Sequence, residues 1–135
     1  MITCGSWEDI WLNEGFATYL SGLCYEFLEP ELWKPFREKL VANGTQLDEG
    51  SVFCDDTTSV SRIFSGALSY SKGAMVLHML RQLIGDSAFF TGVRHYAQDP
   101  TLQYSFSRTT SLIAHFESVC QCDLDLFFNE LTLIV

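Results

Sequence analysis

Trp7-Glu8-Asp9-Ile10-Trp11-Leu12-Asn13-Glu14-Gly15-Phe16-Ala17-Thr18-Tyr19-Leu20 is the stretch whose reading decides the fold. Carried on to Leu28, it sets Trp7, Ile10, Trp11, Ala17, Leu20, Cys24 and Leu28 at steps of three and four, the spacing of a helix with one buried face. Ser6 followed by Asp9 is a capping pair for its start. Asn13 is an equally good cap, so the alternative is a short turn leading into a helix that begins near Glu14. Glu14 is helical in both readings. It falls on the apolar stripe between Trp11 and Ala17, where a carboxylate is costly unless it meets a cation, a helix N-terminus or a metal ion. The residues alone leave those compensations open.

Downstream, Pro30 suits the first turn of a second helix with Leu32, Trp33, Phe36, Leu40 and Val41 as its stripe and Gly44 as its stop; Pro35 is close enough to the start to be tolerated. From Thr45 to Leu68 the periodicity vanishes, which predicts a long loop. Helical spacing resumes from Ser69 to Ile84 and ends at Gly85. Asp86 opens a fourth helix through Phe89, Phe90, Val93 and Tyr96, halted by Asp99 and Pro100. Two further helices are predicted over Thr110 to Val119 and Asp123 to Leu131. No strand alternation and no repeat interrupts this pattern, so the chain is expected to be one mostly α unit.

Composition limits the function classes. The 135 residues are 47% hydrophobic and 19% charged, with 11 Phe, 5 Tyr and 3 Trp, which argues for a packed core rather than disorder. Lys and Arg total 8 against 17 Asp and Glu, for a net charge of −9, so the basic footprint of a nucleic-acid binder is missing. Anionic membrane surfaces are disfavoured for the same reason, and no stretch is long and apolar enough for a membrane span. The five cysteines, Cys4, Cys24, Cys54, Cys120 and Cys122, are an odd number. Cys120 and Cys122 lack the two-residue gap of a zinc knuckle, and free thiols are expected throughout.

The run from Trp7 to Leu20 resembles the segment that follows the zinc helix in the membrane alanyl aminopeptidase family, the gluzincin metallopeptidases that include aminopeptidase N. In that family an H-E-x-x-H helix supplies two zinc ligands and a general base, and a Glu within W-L-N-E-G-F-A is the third ligand. Glu14 matches it. A second run, Leu68-Ser69-Tyr70-Ser71-Lys72-Gly73-Ala74-Met75-Val76-Leu77, resembles the family's Y-x-K-G helix start, whose Tyr donates a hydrogen bond to the oxyanion of the tetrahedral intermediate. Tyr70 is the matching catalytic candidate, a phenol placed where negative charge develops. The resemblance runs from about Thr3 to Asn129. It implies the helical part of a thermolysin-like catalytic domain, a zinc cofactor, a peptide substrate and release of N-terminal amino acids.

Departures from the family's pattern shape the expectation. The three histidines, His78, His95 and His115, form no H-E-x-x-H, and the family spacing counted back from Glu14 passes Met1. The upstream G-x-M-E-N segment is also missing, and the family continues differently after Asn129. The expected domain organisation is therefore a partial peptidase catalytic domain over residues 1–135, truncated at the N-terminus and at the C-terminus. Such a chain is expected to be inactive alone and not to hold zinc tightly, since a catalytic zinc needs three protein ligands. Two alternatives stand beside this: a non-catalytic helical interaction module, and half of a split enzyme completed by another chain. The partners implied are the missing peptidase half or a second copy.

Overall fold

The computed structural model describes residues 1–47 and 50–133, with side chains as far as 130. The end of the apolar tail at Val135 and two positions of the long loop lie outside the described residues. The elements in chain order are β1 (Thr3–Cys4), a 3-10 turn (Trp7–Asp9), α1 (Trp11–Leu28), α2 (Pro30–Gly44) and α3 (Val60–Ile63). A π-helical turn (Gly66–Lys72) runs straight into α4 (Gly73–Ile84), followed by α5 (Asp86–Gln98), β2 (Phe106–Ser107), α6 (Thr109–Cys120) and α7 (Asp125–Leu133). The mostly α expectation holds.

Local chemistry explains most boundaries. Ser6 Oγ accepts from Glu8 N and starts the 3-10 turn, which hands over to α1 without a second cap. Pro30 occupies the first turn of α2, where its missing N–H costs nothing, and the helix runs on through Pro35. Gly85, at φ +83°, ends α4 in a conformation that side-chain-bearing residues avoid. Ser65 Oγ accepts from Leu68 N at the head of the π-helical turn, and the Ser69 hydroxyl donates to the Ile63 carbonyl at 2.8 Å.

The core lies between α1 and α4. Trp11, Leu12, Tyr19 and Leu23 pack with Ala74, Val76, Leu77 and Leu80, and α5 and α6 close the far side through Phe89, Tyr96, Leu112 and Phe116. The Phe89 and Phe116 rings stack at 5.5 Å, and Tyr19 meets Phe89 edge-on at 5.8 Å. Arg81, only 5% exposed, ties three helices together. Its guanidinium donates to both oxygens of Glu26 on α1 and both oxygens of Asp86 on α5, and it sits over the Phe90 ring.

Several expectations need correction. The buried face of α1 is Trp11, Leu12, Gly15, Tyr19, Gly22 and Leu23. Trp7, Ala17, Leu20, Cys24 and Leu28, assigned to the stripe, are exposed instead, because the helix turns a glycine-rich seam toward α4 and α2. The helix predicted from Ser69 starts earlier, at Gly66, as π-helical backbone. The long loop contains α3. A parallel pair, Thr3 with Phe106 and Cys4 with Ser107, supplies strands too short for any alternation to reveal. Finally, Cys120 and Cys122 form a disulfide, so the free thiols are Cys4, Cys24 and Cys54. The left-handed Gln121 between them turns the chain back at the end of α6 and brings the two sulfurs together.

Candidate functional site

The motif around Glu14 divides into residues with structural work and one without. Asp9 is 3% exposed and accepts from the Thr109 hydroxyl at 2.6 Å, the Thr109 amide at 3.3 Å and Arg108 at 3.1 Å. It thereby caps the start of α6. Trp11 joins the same clamp, its indole N–H donating to Thr109 Oγ1 at 3.0 Å. Asn13 holds β1, accepting from Cys4 N at 2.9 Å and donating to Thr3 Oγ1 at 3.1 Å. Sequence reasoning treated Asp9 only as a cap for its own helix; its partner is a hundred residues away and no local signal announces it.

Gly15 brings the two motifs together. A Cβ at Gly15 would lie 2.8 Å from the carbonyl carbon of Gly73, and one at Gly73 would lie 3.1 Å from Gly15 Cα. The backbones of α1 and α4 therefore touch at a point where only glycine fits on both sides. That contact sets Glu14, in the first turn of α1, beside Tyr70, in the π-helical turn leading into α4. Tyr70 owes its place to that turn, in which its amide reaches back to the Ser65 carbonyl, an i to i−5 bond. Single π-helical turns are common at functional sites and leave no periodic signature in a sequence.

Both side chains are half-buried. The Tyr70 hydroxyl is held above the ordinary tyrosine value, first by burial and then by its hydrogen bond to Glu14 and that carboxylate's charge. Among the described residues no Lys, Arg or His makes an ion pair with Glu14. Its compensation is the helix N-terminus and the phenol.

The histidines are engaged elsewhere. His78 lies against Tyr19 and Trp33, with its pKa pushed down by burial and by Arg37 and Arg81. His115 bridges the Ser111 carbonyl at 2.6 Å and Asp99 at 2.9 Å, and His95 is exposed. Among the described residues the one grouping of three metal-ligating side chains is Glu117, Asp123 and Asp125, which does not include Glu14. The residues present therefore do not make up a catalytic zinc site, which takes three protein ligands; Glu14 fits as one carboxylate donor.

Comparison with known proteins gives a consistent result. The family model described as "Peptidase family M1 domain" matches residues 1–131. Aminopeptidase N of Lactococcus lactis subsp. lactis is 34% identical over 105 residues, covering 71% of this chain and 12% of that protein. Aminopeptidase M1 of Arabidopsis thaliana is 34% identical over 126 residues, covering 87% of this chain and 14% of its own length. The crystal structure of an M1 zinc metallopeptidase mutant from Deinococcus radiodurans superposes with a TM-score of 0.82 at 27% identity, covering 99% of this chain and 30% of that one. The chain thus spans roughly an eighth of the curated relatives' length. Among the described residues no helix is long and apolar enough to cross a membrane.

Proposed function

This chain belongs to peptidase family M1, and from that premise we propose that it carries part of the catalytic apparatus of an aminopeptidase acting on peptide N-termini. Glu14 is one carboxylate ligand of a zinc ion whose other ligands lie outside these residues. Tyr70 is the hydrogen-bond donor to the oxyanion that forms when the scissile carbonyl is attacked. The observation that carries this reading is the Glu14 carboxylate, without an ion-pair partner among the described residues, beside the Tyr70 phenol, since its motif neighbours Asp9, Trp11, Asn13 and Gly15 all serve the fold. A solved relative was crystallised with a Tyr-Ser-Ala substrate, which supports a short peptide as the substrate class.

Tyr70 is suited to its role because a phenol, with an ordinary value of 10.0, is protonated and so a donor at neutral pH. Alone, the chain supplies neither a general base nor a full ligand set, so it is inactive in isolation. The purified chain should show substoichiometric zinc and no hydrolysis of aminoacyl-arylamides; tight stoichiometric zinc with turnover would refute this. When activity is restored by a polypeptide bearing the H-E-x-x-H segment, Tyr70→Phe should cost about 10²–10³ in kcat with little change in KM. Undiminished activity of that variant would make Tyr70 a relic and favour the interaction-module reading.

A partner also fits the surface. Trp7 is 51% exposed, Phe27 65% and Phe106 70%. Trp7 meets Phe64 edge-on at 6.0 Å and lines one cleft with Phe106, and exposed aromatics that adjoin in this way are suited to a peptidase half or a second copy. Sedimentation of the purified chain tests it: a strict monomer that binds no apolar dye counts against it.

A further inference from the structure

The disulfide between Cys120 and Cys122 joins the last residue of α6 to the turn that leads into α7. Gln121 alone lies between the two cysteines, so the bond removes little freedom from the unfolded chain. Gln121 also sits at φ +54°, in the left-handed region that side-chain-bearing residues populate sparsely. The turn is fastened by other means. The Gln121 amide donates to the Glu117 carbonyl at 2.9 Å, and the amide of the buried Leu124 donates to Glu117 Oε1 at 2.8 Å. A stabilising staple is therefore a poor account of this bond.

Access and charge distinguish the site. Cys122 is exposed and Cys120 half-buried, so an incoming thiolate reaches Cys122 Sγ and Cys120 is the leaving group. Cys120 Sγ lies 3.8 Å from the carbonyl oxygen of Glu117, whose carboxylate shares one grouping with those of Asp123 and Asp125, the ligand oxygens all within 4.8 Å of one another. All 8 Lys and Arg side chains are among the described residues, and none of them pairs with these three acids. We propose that Cys120 and Cys122 form a thiol-exchange site selective for small cationic thiols, in chemical class aminothiols. The thiolate sulfur bonds to Cys122 Sγ as the bond between the two cysteines breaks, and the electron pair leaves on Cys120 Sγ, which takes a proton from water. The product is a mixed disulfide at Cys122, its ammonium near the three carboxylates, beside a Cys120 thiol. Attack by Cys120 reverses the step. Attack by a second aminothiol frees Cys122 and releases the aminothiol's own disulfide, a two-electron reduction of the chain. Acidic thiols meet like charge and are disfavoured. The exchange does not depend on the peptidase reading.

The test exposes the full oxidised chain, its free Cys24 alkylated beforehand, to cysteamine, 2-mercaptoethanol and 3-mercaptopropionate at matched thiolate concentration, with alkylation and peptide mass mapping at each time point. Cysteamine should open the bond about tenfold faster than 3-mercaptopropionate, with 2-mercaptoethanol between them, and about 0.5 M salt should compress the spread. The reagent's mass should appear first on Cys122 and the alkyl group on Cys120, with the helical circular dichroism unchanged. Asp123→Asn combined with Asp125→Asn should narrow the spread several-fold; both positions are exposed, and an amide oxygen at 123 still accepts from the backbone amide of residue 125. Equal rates for the three thiols, a spread unchanged in the double variant, a first adduct on Cys120, or opening confined to the urea-unfolded chain would each overturn the proposal.

Discussion

Glu14 and Tyr70 lie far apart in sequence, and what couples them is the carboxylate's charge beside a half-buried phenol. Glu14→Gln removes the charge that helps hold the phenol protonated, so the Tyr70 titration should move down toward the ordinary value of 10.0. Because burial is the larger cause, it should remain above that value. Absorbance titration of the two forms, with Tyr70→Phe identifying the transition, checks this; an unmoved titration would mean the two groups do not interact. At this scale the sequence was readable in that Glu14 is helical, whereas the apolar stripe it was expected to interrupt faces solvent at Ala17, Leu20, Cys24 and Leu28. It was silent on Asp9, which is more deeply buried than Glu14, because the Thr109 and Arg108 groups that satisfy it come from the other end of the chain.

Helices meet at particular points, and two of those contacts can be probed by single changes. Gly15→Ala places a methyl group 2.8 Å from Gly73 backbone that cannot yield, so α1 and α4 must part. Overpacking of this kind costs about 1–3 kcal/mol. A lower urea midpoint with an unchanged m value is expected, together with a Tyr70 titration shifted as the carboxylate moves away. The second contact is Arg81. Arg81→Met leaves Glu26, a side chain 24% exposed, without its cation, and should cost about 2–4 kcal/mol, less than a fully buried pair because Asp86 is open to solvent. A loss no larger than that of Lys34→Met, whose exposed pair with Glu38 spans 3.9 Å, would show the network to be idle. Except for α3 and the first residues of the π-helical turn, which fall in the predicted loop, helix positions were legible from apolar spacing and from the prolines and glycines near their ends. The face of α1 was not, since Gly15 and Gly22 form the seam and hydrophobic spacing gives glycine no weight.

For the molecule as a whole, titrating groups define the pH range of greatest stability. Tyr19, Tyr70 and Tyr96 all ionise above 10.0, with burial the first cause in each. The unfolded chain gives up those protons first as pH rises, so their stabilisation is whole below 10.0 and lost as pH climbs through the folded values. His78 works in the opposite sense: its pKa lies below 6.5, the unfolded chain takes up the proton first as pH falls, and stability declines below that value. Asp86, held down by Arg81, and Asp99, held down by Thr101 and then His115, add further losses as pH falls from 3.8 through their folded values. The Cys4 and Cys54 thiols, raised from 9.0 first by burial, act in the same sense as the tyrosines at lower pH, so urea midpoints should be level between about pH 7 and about pH 8 and fall on both sides; a level profile from about pH 7 down to about pH 5 would remove His78 from this account. The mostly α architecture was legible from periodicity, whereas β1, β2 and the disulfide were not, because two-residue strands and a single intervening residue carry no repeating pattern.

The pairing of Thr3 and Cys4 with Phe106 and Ser107, reinforced by the Asp9 clamp on Thr109, means that the residues leading into α1 find their partners about a hundred positions further along. On the ribosome, α1 emerges long before the segment that fastens it, and the fold closes late. A nascent chain stalled before Thr109 should stay open to protease near Trp7, and protection should arrive in one step once β2 and the head of α6 have left the exit tunnel.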